Sequence, residues 1–395
     1  MGFIYISPHF PKTGWRFCDR LKKNGVKVFG IADCNYEELD PTLKSALTDY
    51  YKVSSLENYD EVYRAVAYFA FKYGKIEWIE SNNEHWLEQD AKLRDDFNVK
   101  TGWGYSKIRE LKSKSKMKAY YDAAKVPVAR YHLVNRLIDA ERFIRGVGYP
   151  VVVKPDVGVG AAHTYKITNR QELQAFYTEP SPVPYIMEEY ISGNIQTYDA
   201  IINAEGEPIF ETSFICLPVM DTVNDGTGME YYVVKDINPK LLEMGRRTVK
   251  SFGIKRRFVH FEFFKLDKPK KGLGDIGDYM ALEANMRPAG GYTPEMYNFA
   301  GSVDVYKIYA DMVAYNKSDI STDRSKFICS YAGRFDRTKY LNTHEQIMEK
   351  FGSKIVMCER MPDVLAGAMG NQMYTAKLNT EEERAEFKDF VLATK

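Results

Sequence analysis

Over the first hundred residues, short β-branched and aromatic runs alternate with longer stretches patterned as helices. Phe3-Ile4-Tyr5-Ile6, Val26-Lys27-Val28-Phe29-Gly30-Ile31 and Ile76-Glu77-Trp78-Ile79 read as strands, with helices over residues 16–23, 59–72 and 84–97. Such alternation predicts a parallel αβ sheet. Gly102-Trp103-Gly104 marks a boundary. The pattern divides the chain into an αβ domain (1–104), a small α+β lobe (105–188), a larger lobe (189–320) and a closing α+β segment (321–395). That last segment carries helices near 344–351 and 362–369 and a charged final helix from Thr380.

One strand breaks its own apolar pattern. In Tyr279-Met280-Ala281-Leu282-Glu283-Ala284-Asn285-Met286-Arg287-Pro288, alternation of faces places Glu283, Asn285 and Arg287 on one side and Leu282, Ala284 and Met286 on the other. Upstream, Phe258-Val259-His260-Phe261-Glu262-Phe263-Phe264 carries a carboxylate inside an aromatic run, and the turn-forming residues 268–275 connect the two as a hairpin. Pairing would set Glu262 beside Glu283. Adjacent carboxylates repel unless a cation lies between them, and Mg²⁺ takes few protein oxygens and completes its shell with phosphate and water. The alternative is a structural ion pair of Glu283 with Arg287 and a solvated Glu262.

A second constellation follows Tyr149-Pro150. Val151-Val152-Val153-Lys154 closes a β-branched run with an ammonium, and Asp156-Val157-Gly158-Val159-Gly160-Ala161-Ala162-His163-Thr164 precedes another strand at Tyr165-Lys166-Ile167. Gly158 and Gly160 leave backbone N–H groups open to a phosphate, with Lys154 at the base of the loop. The pattern is neither a Rossmann fingerprint, since a strand follows the loop, nor a P-loop, since it lacks Gly-Lys-Ser/Thr.

Tyr185-Ile186-Met187-Glu188-Glu189-Tyr190-Ile191 is a third piece, followed by Ser192-Gly193-Asn194 and a further strand. With Lys114 in Lys114-Ser115-Lys116-Met117-Lys118, ahead of Val126-Pro127-Val128, five motifs stand in an order that resembles the ATP-grasp superfamily of carboxylate–amine ligases, among them carbamoyl-phosphate-synthase-like and L-amino-acid-ligase-like proteins. The resemblance implies an ATP-grasp fold, α/β and α+β, preceded by a parallel αβ domain on the acceptor-substrate side. It implies that Lys114 and Lys154 contact ATP phosphates under the loop of Gly158 and Gly160. The backbone of Glu188, Glu189, Tyr190 and Ile191 would meet the adenine edge. Glu262, Glu283 and Asn285 would hold Mg²⁺, as a pair of ions, with Mn²⁺ as the alternative. Arg287 would neutralise the transferring phosphoryl group. One departure is clear: where the family often has Gly-x-Glu for the ribose, this chain has Gly193-Asn194-Ile195, leaving Gln196, Asn194 or Glu189 as substitutes.

Composition narrows the partners. The chain carries 55 Lys and Arg against 54 Asp and Glu, a formal net charge of +1, so bulk charge gives no reason to expect nucleic acid or an acidic membrane. Five scattered cysteines without Cys-x-x-Cys spacing point to reduced thiols in the cytoplasm. No apolar run approaches the ~18 residues of a membrane span. The expected substrates are a small carboxylate and an amine, with a homo-oligomer compatible. The Gly290-Gly291 turn after Arg287 and the polar stretch 216–232, read as a loop, are candidate substrate contacts. His163 and His260 are candidate proton carriers, weighed against ordinary structural histidines. Carbamoyl-phosphate-synthase-like or carboxylase-like chemistry, and a non-catalytic ATP-binding protein, are the alternatives.

Overall fold

The computed structural model describes residues 1–158, 163–178, 183–216, 228–321 and 323–394. The chain builds three sheets in sequence order. The first contains β1 (Gly2–Ile6), β2 (Lys27–Ala32), β3 (Asp49–Lys52) and β4 (Trp78–Glu80), all parallel, in the order β3-β2-β1-β4. Its strands are near-continuous apolar runs because helices cover it: Phe17, Cys18 and Leu21 of Trp15–Lys23 pack on one side, Val62, Ala65, Val66 and Phe69 of Tyr59–Tyr73 on the other. Asn58 caps the second helix through the Glu61 N–H, and Gly74 ends it at φ +86°. Among the elements not anticipated here are β3 and the helix Pro41–Ala46. Both are too short for periodicity to announce them.

The second sheet is antiparallel and small: β5 (Tyr131–Leu133), β6 (Val151–Pro155), β7 (Tyr165–Ile167) and β8 (Tyr185–Glu189), in the order β5-β8-β6-β7. The third runs through the rest of the chain. Its strands are β9 (Gly193–Ile202), β10 (Pro208–Thr212), β11 (Phe214–Cys216), β12 (Met229–Val233), β13 (Arg257–Leu266), β14 (Tyr279–Asn285), β15 (Ile328–Arg334), β16 (Ile355–Arg360) and β17 (Gln372–Leu378). They follow the order β14-β13-β9-β11-β12-β15-β17-β16, with β10 beside β9. The C-terminal strands therefore extend the same sheet that carries the carboxylate hairpin. The stretch read as one polar loop contains the ends of two strands, Cys216 and 229–232; Asp221, Asn224, Asp225, Gly226 and Thr227 lie outside the described residues.

At the centre, β9 is buried from Ile195 to Ile202 and pairs with β13 over ten residues. The helix Pro239–Phe252 lies close against it: a Cβ at Gly245 would come within 2.3 Å of the Tyr198 ring, so any larger residue there would force the helix away. The β13–β14 hairpin has one irregularity, a bulge where Glu262 faces Glu283 and Phe263 faces Ala281. Leu282 is the extra residue. Tyr279, Ala281, Ala284 and Met286 consequently share one core, while Leu282 does not join it, which corrects the strict alternation expected from sequence.

Candidate active site

The charged side chains singled out in the sequence converge where the second and third sheets meet. Glu262 and Glu283 are directly opposed in the β13–β14 ladder, and Asn285 is opposed to His260. Directly facing Cβ atoms in such ladders lie ~4.5–5.5 Å apart, close enough for like charges to cost stability. Each carboxylate has a cationic neighbour. Lys114 Nζ is 3.0 Å from Glu283 Oε1, and His260 Nε2 is 3.1 Å from Glu262 Oε1. The structural ion pair of Glu283 with Arg287, weighed as the alternative, is not the one formed; Arg287, just past the end of β14, donates to Glu84 Oε2 at 3.2 Å. Nor is Glu262 simply solvated.

His260 is buried, its other ring nitrogen 2.8 Å from Asp199 on β9. Burial works against protonation of the imidazole, but Asp199 and Glu262 outweigh it and push the pKa up to about 9. Burial likewise raises Glu262, and the hydrogen bond and charge of His260, helped by Arg287 and Lys154, bring it below the usual carboxylate range. The imidazolium is thus wedged between two acids on adjacent strands.

A second ion group lies on the small sheet. Lys154 on β6 is 2.7 Å from Glu188 on the neighbouring β8, and Lys118 reaches the other oxygen of the same carboxylate. Burial favours the neutral form of Glu188, yet the two ammonium groups hold its carboxyl down at about 2. For Lys154, desolvation is overcome by Glu188, Glu283 and Glu262, and its pKa is raised; for Lys118, desolvation prevails and its pKa is lowered. One carboxylate cannot fully compensate two buried cations.

Lys114 reaches the site because of a cap. Ser113 precedes the helix Lys114–Ala123 and accepts from the Lys116 N–H. Asp156, two residues past Lys154, accepts from Ser113 Oγ at 2.6 Å and from the Ser115 N–H at 2.7 Å, while its backbone carbonyl accepts from the Lys114 N–H at 2.8 Å. This clamp holds the helix start against the base of the glycine loop, and Lys114 Nζ donates to the Gly158 carbonyl at 3.1 Å. Lys114 and Lys118 are thus both at the site, one turn apart on the same helix. Gly160 lies outside the described residues, and His163 is exposed at the loop's far end.

In the hinge, the Glu189 N–H donates to the Arg130 carbonyl at 3.0 Å, the Tyr190 N–H to Pro150 at 3.3 Å, and the Tyr190 carbonyl accepts from Lys270 at 3.0 Å. Ile191 is buried beside Ala129, Leu266 and Met280. Of the three side chains that the resemblance left as candidates for the ribose, Glu189 is held by Arg130 and Lys270 and Gln196 by the Tyr279 hydroxyl. Asn194 is exposed.

Glu84, Asp199, Asp156, Arg130 and Lys270 were not singled out for these contacts in the sequence. Only Asp199 carried a signal: a carboxylate within the apolar run Tyr198 to Ile202, the mark by which Glu262 was found.

Comparison of the whole architecture with solved structures gives long alignments. The L-amino acid ligase from Bacillus licheniformis superposes with a TM-score of 0.70, covering 98% of this chain and 95% of that one at 13% identity. The fold is ATP-grasp. N5-carboxyaminoimidazole synthetase from Staphylococcus aureus, in complex with ADP, matches with a TM-score of 0.67 at 14% identity, covering 98% and 95%. The biotin carboxylase domain of Hydrogenobacter thermophilus 2-oxoglutarate carboxylase, in complex with MgADP, ADP and bicarbonate, matches at 0.65 and 15% identity, covering 95% and 85%. No protein-family profile and no curated protein sequence matches the chain. Within this architecture one ion group lies on the small sheet and the other on the hairpin of the large one.

No group of three or more His, Cys, Asp or Glu among the described residues has metal-holding geometry by itself. Two opposed carboxylates and an amide are nevertheless a hard-oxygen set of the kind that Mg²⁺ uses when phosphate and water supply its other ligands. The residues therefore fit Mg²⁺ held jointly with a nucleotide, not a closed protein cage. No helix among the described residues is long and apolar enough to cross a membrane.

Proposed function

We propose that this chain is an ATP- and Mg²⁺-dependent ligase that joins a small carboxylate to an amine through an acyl phosphate. The observation that carries the reading is the pairing of Glu262 with Glu283, with Asn285 on the same strand and Lys114 beside Glu283. Glu262, Glu283 and Asn285 would hold Mg²⁺, which screens the charge of the phosphates and orients them. Two ions are proposed, with Mn²⁺ able to replace Mg²⁺. The similar structures that hold ADP or MgADP support the same nucleotide assignment.

Each residue then has a task. Lys114 and Lys154 bind phosphate oxygens, exchanging part of their pairing with Glu283 and Glu188 for the nucleotide. The glycine-rich stretch of Gly158 and Gly160 is proposed as the phosphate-binding segment, and segment 188–191 as the one that meets the adenine. Arg287 stabilises charge on the γ-phosphoryl group as it passes to a carboxylate oxygen and ADP departs. Attack of the amine on the acyl carbon then expels phosphate, and the amine's proton is lost to solvent or base. Phosphoryl transfer of this kind depends on positioning and charge neutralisation more than on an acid–base pair. The segments 1–104, 105–188, 189–320 and 321–395 are proposed as its structural units.

The test is an ADP-release screen of amino acids, singly and in pairs, with bicarbonate among the acids. Bicarbonate belongs there because a similar structure was determined with it. The ligase reading predicts ADP release that requires both an acid and an amine. Release with bicarbonate alone would favour a carboxylase-like reaction, and tight ATP binding without turnover would favour a binding protein.

A further inference from the structure

The parallel sheet places a second cavity on the same edge as Arg287. The chain leaves β1 at Ser7, β2 at Asp33 and β4 at Ser81, and these strands are adjacent and parallel, so all three departures are at the carboxyl ends of the sheet. That edge is where open αβ sheets bind ligands. Glu84, three residues beyond Ser81, meets Arg287. On that edge the segments leaving β1 and β2 line an open cavity of ≈ 330 Å³, completed by Gly291 and Tyr292 and by the helix Asp363–Met369. Gly291 and Tyr292 follow Arg287 by four and five residues. Gly291 and Tyr292 thus join the cavity wall to Arg287 along the chain.

Its walls are chiefly Pro8, Phe10, Trp15, Leu39, Leu43 and Leu365. The charged residues around it are already committed. Glu38 accepts from the Asn35 backbone and side-chain N–H groups at 3.0 and 2.7 Å, Asp40 caps the helix Pro41–Ala46 through the Thr42 N–H, and Lys12 pairs with Glu359 at 2.9 Å. Burial lowers the pKa of His9 against the opposing pull of Asp33, which leaves it neutral at pH 7. An ionised group entering this space would lose water and find apolar surface. An aliphatic or aromatic group would give up no hydrogen bonds to water and would cover this apolar wall. The size agrees, since ligand pockets run from roughly 300 to 1,000 Å³ and this one stands at the small end.

We propose that this cavity receives the apolar side chain of an amino-acid-sized substrate, of leucine or phenylalanine type. The proposal rests on the ligase reading for what happens to that substrate, but its binding can be measured without turnover. Equilibrium dialysis of labelled L-leucine, L-phenylalanine, glycine and L-aspartate against the full chain, with Mg²⁺ and a non-hydrolysable ATP analogue, supplies the test. Leucine or phenylalanine should bind at least tenfold tighter than glycine and aspartate. Leu365→Glu, at a half-buried position on the cavity wall, should remove that preference while nucleotide affinity stays within twofold; Leu365→Met should retain it. Equal affinity for all four amino acids, no binding of any, or a preference unchanged in Leu365→Glu would overturn the proposal. Hydroxylamine in place of the amine then tells whether the bound amino acid is the acid, giving ADP and a hydroxamate, or the amine, giving neither. Failure of ADP release alongside selective binding would count against the ligase reading and leave the cavity assignment standing.

Discussion

Glu188→Gln tests the ion group on the small sheet quantitatively. The carboxylate is buried between Lys154 and Lys118, and its pKa of about 2 compares with an ordinary 4.5. At ~1.4 kcal/mol per pH unit, that difference corresponds to about 3 kcal/mol of stability at pH 7. The size agrees with the ~3–5 kcal/mol lost when one partner of a buried pair is removed. Because the folded pKa is the lower one, the contribution is complete above pH 4.5 and fades as pH falls towards 2, to about 1 kcal/mol at pH 3. Urea unfolding followed by circular dichroism, for wild type and variant at pH 7 and pH 3, measures both ends. The midpoint should move with little change in slope. A loss under ~1 kcal/mol at pH 7, or one equally large at pH 3, would refute the argument that two ammonium groups hold this carboxyl down.

The remaining predictions concern single residues. Lys154→Met should weaken ATP binding in calorimetry at least tenfold, whereas Lys166→Met, at an exposed position on β7, should change it less than twofold; equal effects would remove the phosphate role. Arg287→Ala should bind ATP normally yet form no acyl phosphate, and undiminished hydroxamate in hydroxylamine would contradict that assignment. His260, with its pKa pushed up to about 9, lends stability that is complete below its ordinary 6.5 and is lost as pH rises through 9. The urea midpoint difference between wild type and His260→Gln should therefore shrink from pH 6 to pH 10, and a constant difference would exclude the Asp199–His260–Glu262 arrangement as its source.

How far the sequence revealed this site depended on distance along the chain. The hairpin was legible because two period-two runs flank a turn-rich segment, and that pattern alone put Glu262 opposite Glu283. The helix 59–72 was legible from its place in the alternation of strands and helices. Pairing across long separations was not: Arg287 and Glu84 lie 203 residues apart, and Lys118 and Glu188 lie 70 apart. No local rule links them, since the contact arises only when separate sheets pack. Leu282 was misplaced because a bulge adds one residue to a strand without altering its hydrophobic pattern. The run Lys114-Ser115-Lys116-Met117-Lys118 does not by itself tell which lysines reach the loop. Helical spacing places Lys114 and Lys118 on one face, but only the Asp156 clamp determines which face meets the loop.

The central claim is that Glu262, Glu283 and Asn285 hold a metal for phosphoryl transfer from ATP to a carboxylate. Its most direct measurement is the joint yield of ADP and hydroxamate from ATP, Mg²⁺, hydroxylamine and a panel of amino acids, in wild type and Glu283→Ala. The account predicts equal amounts of both products with at least one acid, and neither product from Glu283→Ala or without divalent metal. Hydroxamate formed by Glu283→Ala at the wild-type rate would contradict it.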